Sequence, residues 1–216
     1  MKQNLIALLS GLALVTGIAC AAPGSDTSKT TETSNRPKTN IPERQLATFG
    51  GGCFWCMEGT FEKLKGVDSV ISGYTGGVEK NPTDKEVSRG TTGHTEAVQI
   101  TFNPTIVTYE QLLDTYWKNI DPTDSDGQFA DRGSQYRPGI FFHNEAQKHA
   151  AISSRSALEE SGHFQQSVVV EITAYTSFYP AKNDHQDYYR KNPEHYKAYR
   201  KGSGRTGFLE KVWGGK

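Results

Sequence analysis

Two cysteines three positions apart, Cys53 and Cys56, are the side chains of this sequence best suited to redox chemistry. They follow Gly51 and Gly52, where a predicted strand gives way to a predicted helix. A cysteine in the first helical turn faces unpaired backbone N–H groups and the positive end of the helix dipole, which favour thiolate over thiol. Residues three apart share one helix face, so the two sulfurs can form a disulfide after a slight local adjustment. We therefore predict a reactive nucleophile and a resolving thiol.

Two other interpretations of the cysteine pair stay open at this point. The two residues could be buried structural cysteines, or they could be half of a zinc site. The zinc interpretation lacks a second cysteine pair, because the chain has only three cysteines. Phe54 and Trp55 lie between Cys53 and Cys56 and are either core residues or the wall of a pocket for a small apolar group. Their spacing favours neither.

Residues 1–22 have the pattern of an export signal, with a short basic start, an apolar run up to Ile18 and an exit of small residues. The run is too short and too interrupted for a membrane span. Cys20 is a candidate for lipid attachment, as in a bacterial lipoprotein, and the alternative is ordinary signal cleavage after Ala21 or Ala22. We expect an exported protein of the periplasm or cell envelope, with membrane contact only through a lipid on Cys20.

The remainder of the chain divides by composition. Residues 23–42 contain almost no apolar side chains and are predicted to form a flexible linker. Residues 43–216 have a length that suits one domain with a single core. The 24 basic residues balance the 24 acidic ones, which gives no electrostatic case for binding nucleic acid. A lone dithiol in an exported domain indicates redox catalysis more than a disulfide scaffold.

Hydrophobic periodicity and turn residues predict an α+β domain. Alternating or continuous apolar runs predict strands over 45–49, 67–74, 96–102, 140–142 and 167–174. Helices are predicted over 53–65, 109–117 and 144–161, the second of them behind a Thr108 cap. From Tyr175 onward the chain looks aromatic and irregular, with a candidate helix over 185–189. Strands and helices alternate without a strict parallel rhythm, which favours two layers, one mixed sheet with helices packed on it.

Six segments carry a resemblance to a known family. They are GCFWCME at 52–58, GYTGG at 73–77, TGHTEAV at 92–98, GSQYR at 133–137, FYPA at 178–181 and DHQ at 184–186. In these motifs and in their order the chain resembles peptide methionine sulfoxide reductase A. The resemblance covers nearly the whole folded part. It implies a two-layer α/β plait with a ferredoxin-like core, a central mixed sheet and a long irregular C-terminal segment.

The resemblance implies roles for the residues that match the family's motifs. Cys53 matches the nucleophile, whose thiolate attacks the sulfoxide sulfur of oxidised methionine, becomes a sulfenic acid and releases methionine. Glu96 matches the acid that gives a proton to the sulfoxide oxygen, and Tyr136 matches a tyrosine that hydrogen-bonds the same oxygen. Phe54 and Trp55 match the pocket for the substrate's S-methyl group.

The resemblance also implies supporting positions. Asp131 matches an aspartate near the substrate's polar backbone or a bound water. Glu58 and His94 match residues that orient the helix start and the neighbouring loop. His185 matches a family histidine that acts as structural support more than as catalyst.

Two departures from the family pattern bear on mechanism. Asp84 stands where the family usually has a tyrosine that gives a second hydrogen bond to the sulfoxide oxygen. Either Tyr136 and Glu96 suffice, or Tyr188 fills in, or Asp84 turns outward. The second departure is a C-terminal tail without cysteines, whereas many relatives carry resolving cysteines there. Cys56 is then the only available partner for oxidised Cys53.

The implied activity is reduction of methionine-S-sulfoxide, free or in proteins, for repair of oxidative damage. A Cys53–Cys56 disulfide would be reduced by an external thioredoxin-like donor, with no metal or bound cofactor. We expect a monomer. Two competing classes remain, a general thiol–disulfide oxidoreductase and a non-catalytic tethered lipoprotein. The Phe-Trp spacer between the cysteines argues against the first of them.

Overall fold

A computed structural model describes residues 43–214 of the chain. The predicted export signal, the linker and Cys20 lie outside these residues. Within the described range, no helix is both long enough and apolar enough to cross a membrane.

The described residues are organised around one six-stranded mixed sheet. Its strand order is β7-β6-β1-β3-β2-β8, and every neighbouring pair is antiparallel except β6 and β7, which run parallel. A separate two-stranded ribbon joins β4 to β5. The strands are β1 Gln45–Gly50, β2 Val67–Thr75, β3 Thr95–Phe102, β4 Gly127–Gln128, β5 Asp131–Arg132, β6 Gly139–Phe142, β7 Glu171–Ala174 and β8 Phe178–Pro180.

Seven helices accompany these strands within residues 43–214. They are α1 Phe54–Phe61, α2 Asp84–Ser88, α3 Tyr109–Trp117, α4 Glu145–Glu160, α5 Tyr188–Lys191, α6 Pro193–Gly202 and α7 Arg205–Trp213. Helix α1 packs on β2 and β3, whereas α4 packs on β6 and β7. Thr108 caps α3 through a capping box with Gln111, and Asn144 caps α4, which satisfies backbone N–H groups that a helix start leaves unpaired.

The core lies where the sheet meets α1 and α3. The Phe49 ring on β1 stacks on Phe61 of α1 at 5.5 Å between ring centroids and on Tyr116 of α3 at 5.0 Å. Met57, on the inner face of α1, is completely buried. Burial of large aromatic and apolar side chains is the main favourable contribution to folding, so these contacts hold α1 against the sheet.

Two predicted elements are longer than the observed ones. Helix α1 ends at Phe61 rather than near residue 65, because the Leu64 and Val67 amides donate to carbonyl oxygens three residues back. These tight turns lead into Gly66, whose φ of +98° favours glycine. Strand β7 begins at Glu171 rather than at residue 167, since the Val169 amide donates to the Pro122 carbonyl instead of pairing with β6.

The C-terminal segment is more regular than the sequence predicts. Instead of an irregular chain from Tyr175, it contains β8 and the three helices α5, α6 and α7. Periodicity gives little sign of α5 and α6, because α6 is mostly polar and neither helix has a fully buried residue. Pro193 at the first position of α6 is the one start signal visible in the sequence.

Candidate active site

The dithiol lies where β1 turns into α1. Cys53 is the N-cap residue of α1 and is only 5% exposed, and Cys56, one turn later, is buried. Both are free thiols. Gly52 before them has a φ of +77°, and a Cβ on it would lie 2.5 Å from the Cβ of Gln128. Only glycine fits this turn, which brings the sulfurs under the neighbouring loop.

The prediction of a low Cys53 pKa is wrong for the free protein. Burial raises the pKa of the Cys53 thiol well above its ordinary value, assisted by the contact with Cys56 and the charge of Glu96. The helix terminus does not compensate, because its amides are already engaged. Phe54 N donates to Glu96 Oε2 at 3.0 Å, and Cys56 N donates to the Cys53 carbonyl at 3.1 Å. Burial thus favours the thiol form of Cys53 in the free protein.

Cys56 has the opposite tendency. A hydrogen bond with Cys53 lowers the pKa of the Cys56 thiol to about 7, although burial opposes the change. The positive charges of Arg205 and Arg200 lower it further. The hydrogen bond between the two thiols links their titration, and the charges of Arg205 and Arg200 favour the anion on Cys56.

Glu96, at the start of β3, supplies a protonated carboxyl next to this pair. Its side chain is buried, and burial raises the pKa of the carboxyl to about 8, although the hydrogen bond from Phe54 N opposes the rise. The carboxyl is therefore neutral at pH 7 and has a proton to donate.

Two tyrosines and an aspartate surround the carboxyl and the nucleophile. Tyr136 ends a 3-10 turn, is half-buried, and has its pKa raised by burial and by the neighbouring Glu96. Asp131 on β5 accepts a hydrogen bond from the Tyr199 hydroxyl, and its pKa is raised, chiefly by burial. Tyr199, on α6, also lies close enough to Cys53 to lower the pKa of that thiol. Both tyrosines keep their hydroxyl protons and can act as donors.

An aromatic wall stands beside the nucleophile. The Phe54 ring is buried and packs at 5.8 Å from the Tyr74 ring. The half-buried Trp55 indole stacks on Tyr188, with ring centroids 3.7 Å apart and planes 7° from parallel. Tyr199 meets the same indole edge-on at 5.8 Å. An apolar surface of this kind suits a methyl group.

Tyr188 does not replace the family tyrosine that Asp84 displaces. Its hydroxyl lies 3.1 Å from His195 Nδ1, and its ring is occupied by the stack on Trp55. Tyr188 thus supports the aromatic wall, and it is not positioned as a donor to the sulfoxide oxygen.

Asp84 is only half-exposed and takes part in a small polar cluster. It accepts a hydrogen bond from the Tyr74 hydroxyl at 3.0 Å and lies 3.5 Å from His185 Nε2. The His185 ring contacts Phe54 edge-on at 5.4 Å, which agrees with a structural role. The Asp84 charge also helps to raise the pKa of Glu96, so this acid helps to keep the Glu96 proton in place.

His94 and Glu58 are buried groups that hold loops and helices near the site. His94 Nδ1 accepts from Gly77 N at 3.3 Å, so Nε2 carries the proton that bonds the Glu79 carbonyl at 2.8 Å. Glu58 on α1 lies beside the start of α5, where burial raises the pKa of its carboxyl to about 7 and the Asp187 amide opposes the rise. These two residues orient backbone and do not touch the thiols.

Several residues of the site are absent from the sequence-based prediction. Tyr199, Arg200 and Arg205 come from α6 and α7, about 150 positions after Cys53, in the segment predicted to be irregular. Nothing in local spacing links them to the dithiol. The one available signal is Arg205 itself, a lone arginine in a Ser-Gly-Arg-Thr-Gly segment where a helix begins.

Metal chemistry has no evident place among residues 43–214. In this range no three histidine, cysteine, aspartate or glutamate side chains cluster in a way that could hold an ion. A buried dithiol beside a neutral carboxyl and an aromatic wall instead defines a thiol-dependent oxidoreductase.

Comparisons with known proteins identify the family within this class. A family model described as peptide methionine sulfoxide reductase matches residues 45–216. The peptide methionine sulfoxide reductase MsrA of Bacillus subtilis is 53% identical over 174 residues, covering 81% of this chain and 98% of the relative. The MsrA of Listeria monocytogenes is 54% identical over 171 residues, covering 79% and 97%. The chain belongs to the peptide methionine sulfoxide reductase family.

Solved structures agree with this assignment. The reduced form of Mxr1 from Saccharomyces cerevisiae has a TM-score of 0.67 and 29% identity, covering 70% of this chain and 87% of that structure. Methionine sulfoxide reductase A of Corynebacterium diphtheriae has a TM-score of 0.63 and 30% identity, covering 70% and 76%. The predicted family and the predicted α+β fold with a central mixed sheet are confirmed.

Proposed function

We propose that this protein reduces methionine-S-sulfoxide, free and in proteins, to methionine, with Cys53 as nucleophile and Cys56 as resolving thiol. One observation carries the mechanism. The protonated Glu96 carboxyl is tied to the backbone amide next to Cys53, with Phe54 and Trp55 beside them. An acid, a sulfur nucleophile and an apolar wall thus meet at one point, as reduction of a methyl sulfoxide requires.

The first step transfers oxygen between two sulfurs. The aromatic wall holds the methyl group, and Tyr136 and Glu96 hydrogen-bond the sulfoxide oxygen. As the Cys53 sulfur attacks, Glu96 gives its proton to that oxygen and receives the proton of Cys53. The substrate S–O bond breaks and a new S–O bond forms on Cys53. Methionine gains two electrons, and Cys53 becomes a sulfenic acid.

The second and third steps restore the dithiol. The Cys56 thiolate attacks the Cys53 sulfenic acid, an S–S bond forms, the S–O bond breaks and the oxygen leaves as water after taking a proton. A thioredoxin-like dithiol then reduces the Cys53–Cys56 disulfide by exchange and becomes oxidised itself. The positive charges of Arg205 and Arg200, which lower the pKa of the Cys56 thiol, support its place as the attacking thiol.

Turnover of separated sulfoxide epimers tests the activity. With thioredoxin and its reductase as electron source, the protein should consume the S epimer of a methionine sulfoxide peptide and leave the R epimer. A Cys53→Ser variant should be inactive on both. Disulfide reduction in insulin without methionine sulfoxide turnover would instead identify a general thiol–disulfide oxidoreductase.

The role of Cys56 has its own prediction. A Cys56→Ser variant should release about one methionine per enzyme in a single turnover and then stall with thioredoxin as reductant, because the sulfenic acid has no internal partner. Quantifying methionine at early and late times separates the two phases. Steady turnover equal to that of the wild type would refute Cys56 as the resolver.

We further propose that the protein is an exported monomer of the periplasm or cell envelope, in which residues 23–42 tether the domain. The sequence pattern of residues 1–22 supports export, with Cys20 as the lipid acceptor. Mass spectrometry of the mature N-terminus distinguishes the alternatives. A diacylglyceryl adduct on Cys20 identifies a lipoprotein, whereas a start after Ala21 or Ala22 identifies a freely exported protein and refutes the anchor.

A further inference from the structure

Arg205 is a buried charge next to the dithiol. It lies in the first turn of α7, and its side chain is only 1% exposed. Its Nη2 donates to the Gly51 carbonyl at 2.8 Å, its Nη1 donates to the Asn119 carbonyl, and its guanidinium lies 4.7 Å from the centre of the Phe129 ring. A Cβ on Gly52 would lie 2.8 Å from Nη2. The guanidinium thus packs directly against the turn that leads into Cys53.

The charge of Arg205 lacks a carboxylate partner. None of the ion pairs formed within residues 43–214 includes it. The nearby Asp131 carboxyl accepts a hydrogen bond from Tyr199, and Arg205 acts on it only through its charge, which lowers the Asp131 pKa. Burying a charge is unfavourable unless other groups compensate for the lost water. Carbonyl oxygens and an aromatic face solvate this guanidinium but do not neutralise it. Its positive charge is therefore available to an anion that forms nearby.

Cys56 is the group in which such an anion forms. Arg200, on α6, donates from Nη1 to the Cys56 carbonyl at 3.3 Å, so two arginines approach the resolving thiol from the C-terminal helices. The titratable groups that act on Cys56 are Cys53, Glu96, Asp131, Tyr196, Arg200 and Arg205. Of the cations in this set Arg205 has the larger effect, and Asp131 acts against it.

We propose that Arg205 is a positioning residue for the resolving half of the reaction. It fixes the Gly51–Gly52 turn and places a fixed positive charge where the Cys56 sulfur becomes anionic. This role rests on the proposed function and adds a residue of α7 to it. The charge acts when Cys56, as a thiolate, attacks the Cys53 sulfenic acid. In that step the arginine exchanges no proton and forms no bond.

Titration of Cys56 tests the charge directly. In a Cys53→Ser background, the thiolate absorbance of Cys56 is followed against pH with no substrate or thioredoxin present. Replacing Arg205 by Gln keeps a polar side chain with N–H donors but removes the charge, and the Cys56 pKa should rise by about one unit. In Arg205→Lys, which keeps the charge, the Cys56 pKa should stay close to its value in the Cys53→Ser background. Lys211→Gln is the matched control, since it removes an exposed positive charge from the same helix.

The kinetic consequence is measured with both cysteines present. If the Cys56 pKa rises from about 7 to about 8, the thiolate fraction at pH 7 falls from about half to about a tenth. Loss of free thiols after one turnover should then be about fivefold slower in Arg205→Gln at pH 7 and should recover at higher pH.

Two results would overturn the proposal. The first is an Arg205→Gln protein that circular dichroism shows to be folded and in which the Cys56 pKa is the same as in the Cys53→Ser background. The second applies if the Gln variant does not fold. It is an Arg205→Lys protein in which the Cys56 pKa is that of an ordinary thiol although the positive charge is retained. Neither result depends on methionine sulfoxide turnover. Failure of the proposed function would appear separately, as a wild-type protein that forms no methionine.

Discussion

Three neighbouring groups at the site, Cys53, Cys56 and Glu96, differ in how firmly each one holds its proton. Burial keeps the proton on Cys53 and Glu96, whereas contact with Cys53 and the two arginines draws the proton away from Cys56. The neutral thiol is therefore favoured at Cys53 while no substrate is bound, and the Glu96 carboxyl has a proton to donate. This distribution places the thiolate on the residue that acts second.

The Glu96 proton leads to a prediction about pH. The reaction needs the protonated carboxyl, whose pKa is about 8, so methionine release in the first turnover should slow as pH rises through that value. Measurement in the Cys56→Ser background removes the titration of the resolving thiol. The amide of Glu96→Gln can still hydrogen-bond the sulfoxide oxygen but has no proton to give. Methionine release should therefore be slower by about two orders of magnitude, and its rate should show no transition near pH 8. The same transition in the Gln variant would assign it to another group.

At the residue scale, sequence motifs predict which side chains lie together, and the catalytic roles of those side chains stay predictions. Cys53, Glu96, Phe54 and Trp55 meet in the structure as their motifs imply. The predicted low pKa of Cys53 failed because spacing cannot show burial, nor that a helix-start amide bonds to Glu96. Tyr199 and Arg205 could not be predicted, because their proximity to the dithiol depends on the path of the C-terminal helices.

At the scale of elements, α5 and α6 complete a site whose nucleophile lies on α1. Helix α5 contacts α1 and also α6, which in turn contacts α7. Tyr188 from α5 and Tyr199 from α6 both reach Trp55. The segment that the sequence predicts to be irregular therefore supplies one side of the aromatic wall.

The stack of Tyr188 on Trp55 can be tested by its effect on substrate affinity. Tyr188→Ala removes the ring that holds the indole, and a lost aromatic contact of this kind corresponds to a KM about two- to tenfold higher. The kcat should change less, because the thiols and Glu96 are untouched. Tyr188→Phe is the control, since it keeps the ring and loses only the contact with His195. Equal effects of Ala and Phe would show that the hydroxyl, not the stack, is important.

Strands and amphipathic helices were predictable from sequence because each buries one regular face. In β3, large apolar side chains recur at every second position (Val98, Ile100 and Phe102), and α3 places its buried residues at helical spacing behind the Thr108 cap. Helices α5 and α6 contain no buried residue, and α6 is too polar on average to be recognised as a packed helix. They are held by contacts of tyrosines and arginines with α1 and its surroundings, such as Tyr189 with Glu62.

At the scale of the whole molecule, buried carboxyls make folding depend on pH. Glu58 joins α1 to the start of α5, and burial raises the pKa of its carboxyl to about 7. When folding raises the pKa of a carboxyl, the group contributes its full stability below the pKa of the unfolded state, here near 4.5. This contribution is lost as the pH rises through the pKa of the folded state. The free energy of unfolding should therefore decline between these two pH values.

A Glu58→Gln variant tests this dependence. The amide cannot ionise, so the variant does not lose this stability as pH rises. Its unfolding free energy minus that of the wild type should therefore increase by about 2–3 kcal/mol from pH 4.5 to pH 8. Urea unfolding at both pH values, with the thiols kept reduced, measures the difference. Glu159→Gln removes an exposed carboxylate from α4 and should show no such change. A constant difference for Glu58→Gln would mean that the Glu58 pKa is ordinary.

Met57 has a consequence for the working life of the protein. It is one of two methionines in the chain, is completely buried, and its sulfur lies 4.0 Å from Arg205 Nη1. Oxidation would turn this apolar side chain into a polar, chiral sulfoxide that the core under the dithiol has no room to accept. A repair enzyme is exposed to the oxidants that damage its substrates. By enclosing its own thioether, the domain is shielded from the lesion that it removes.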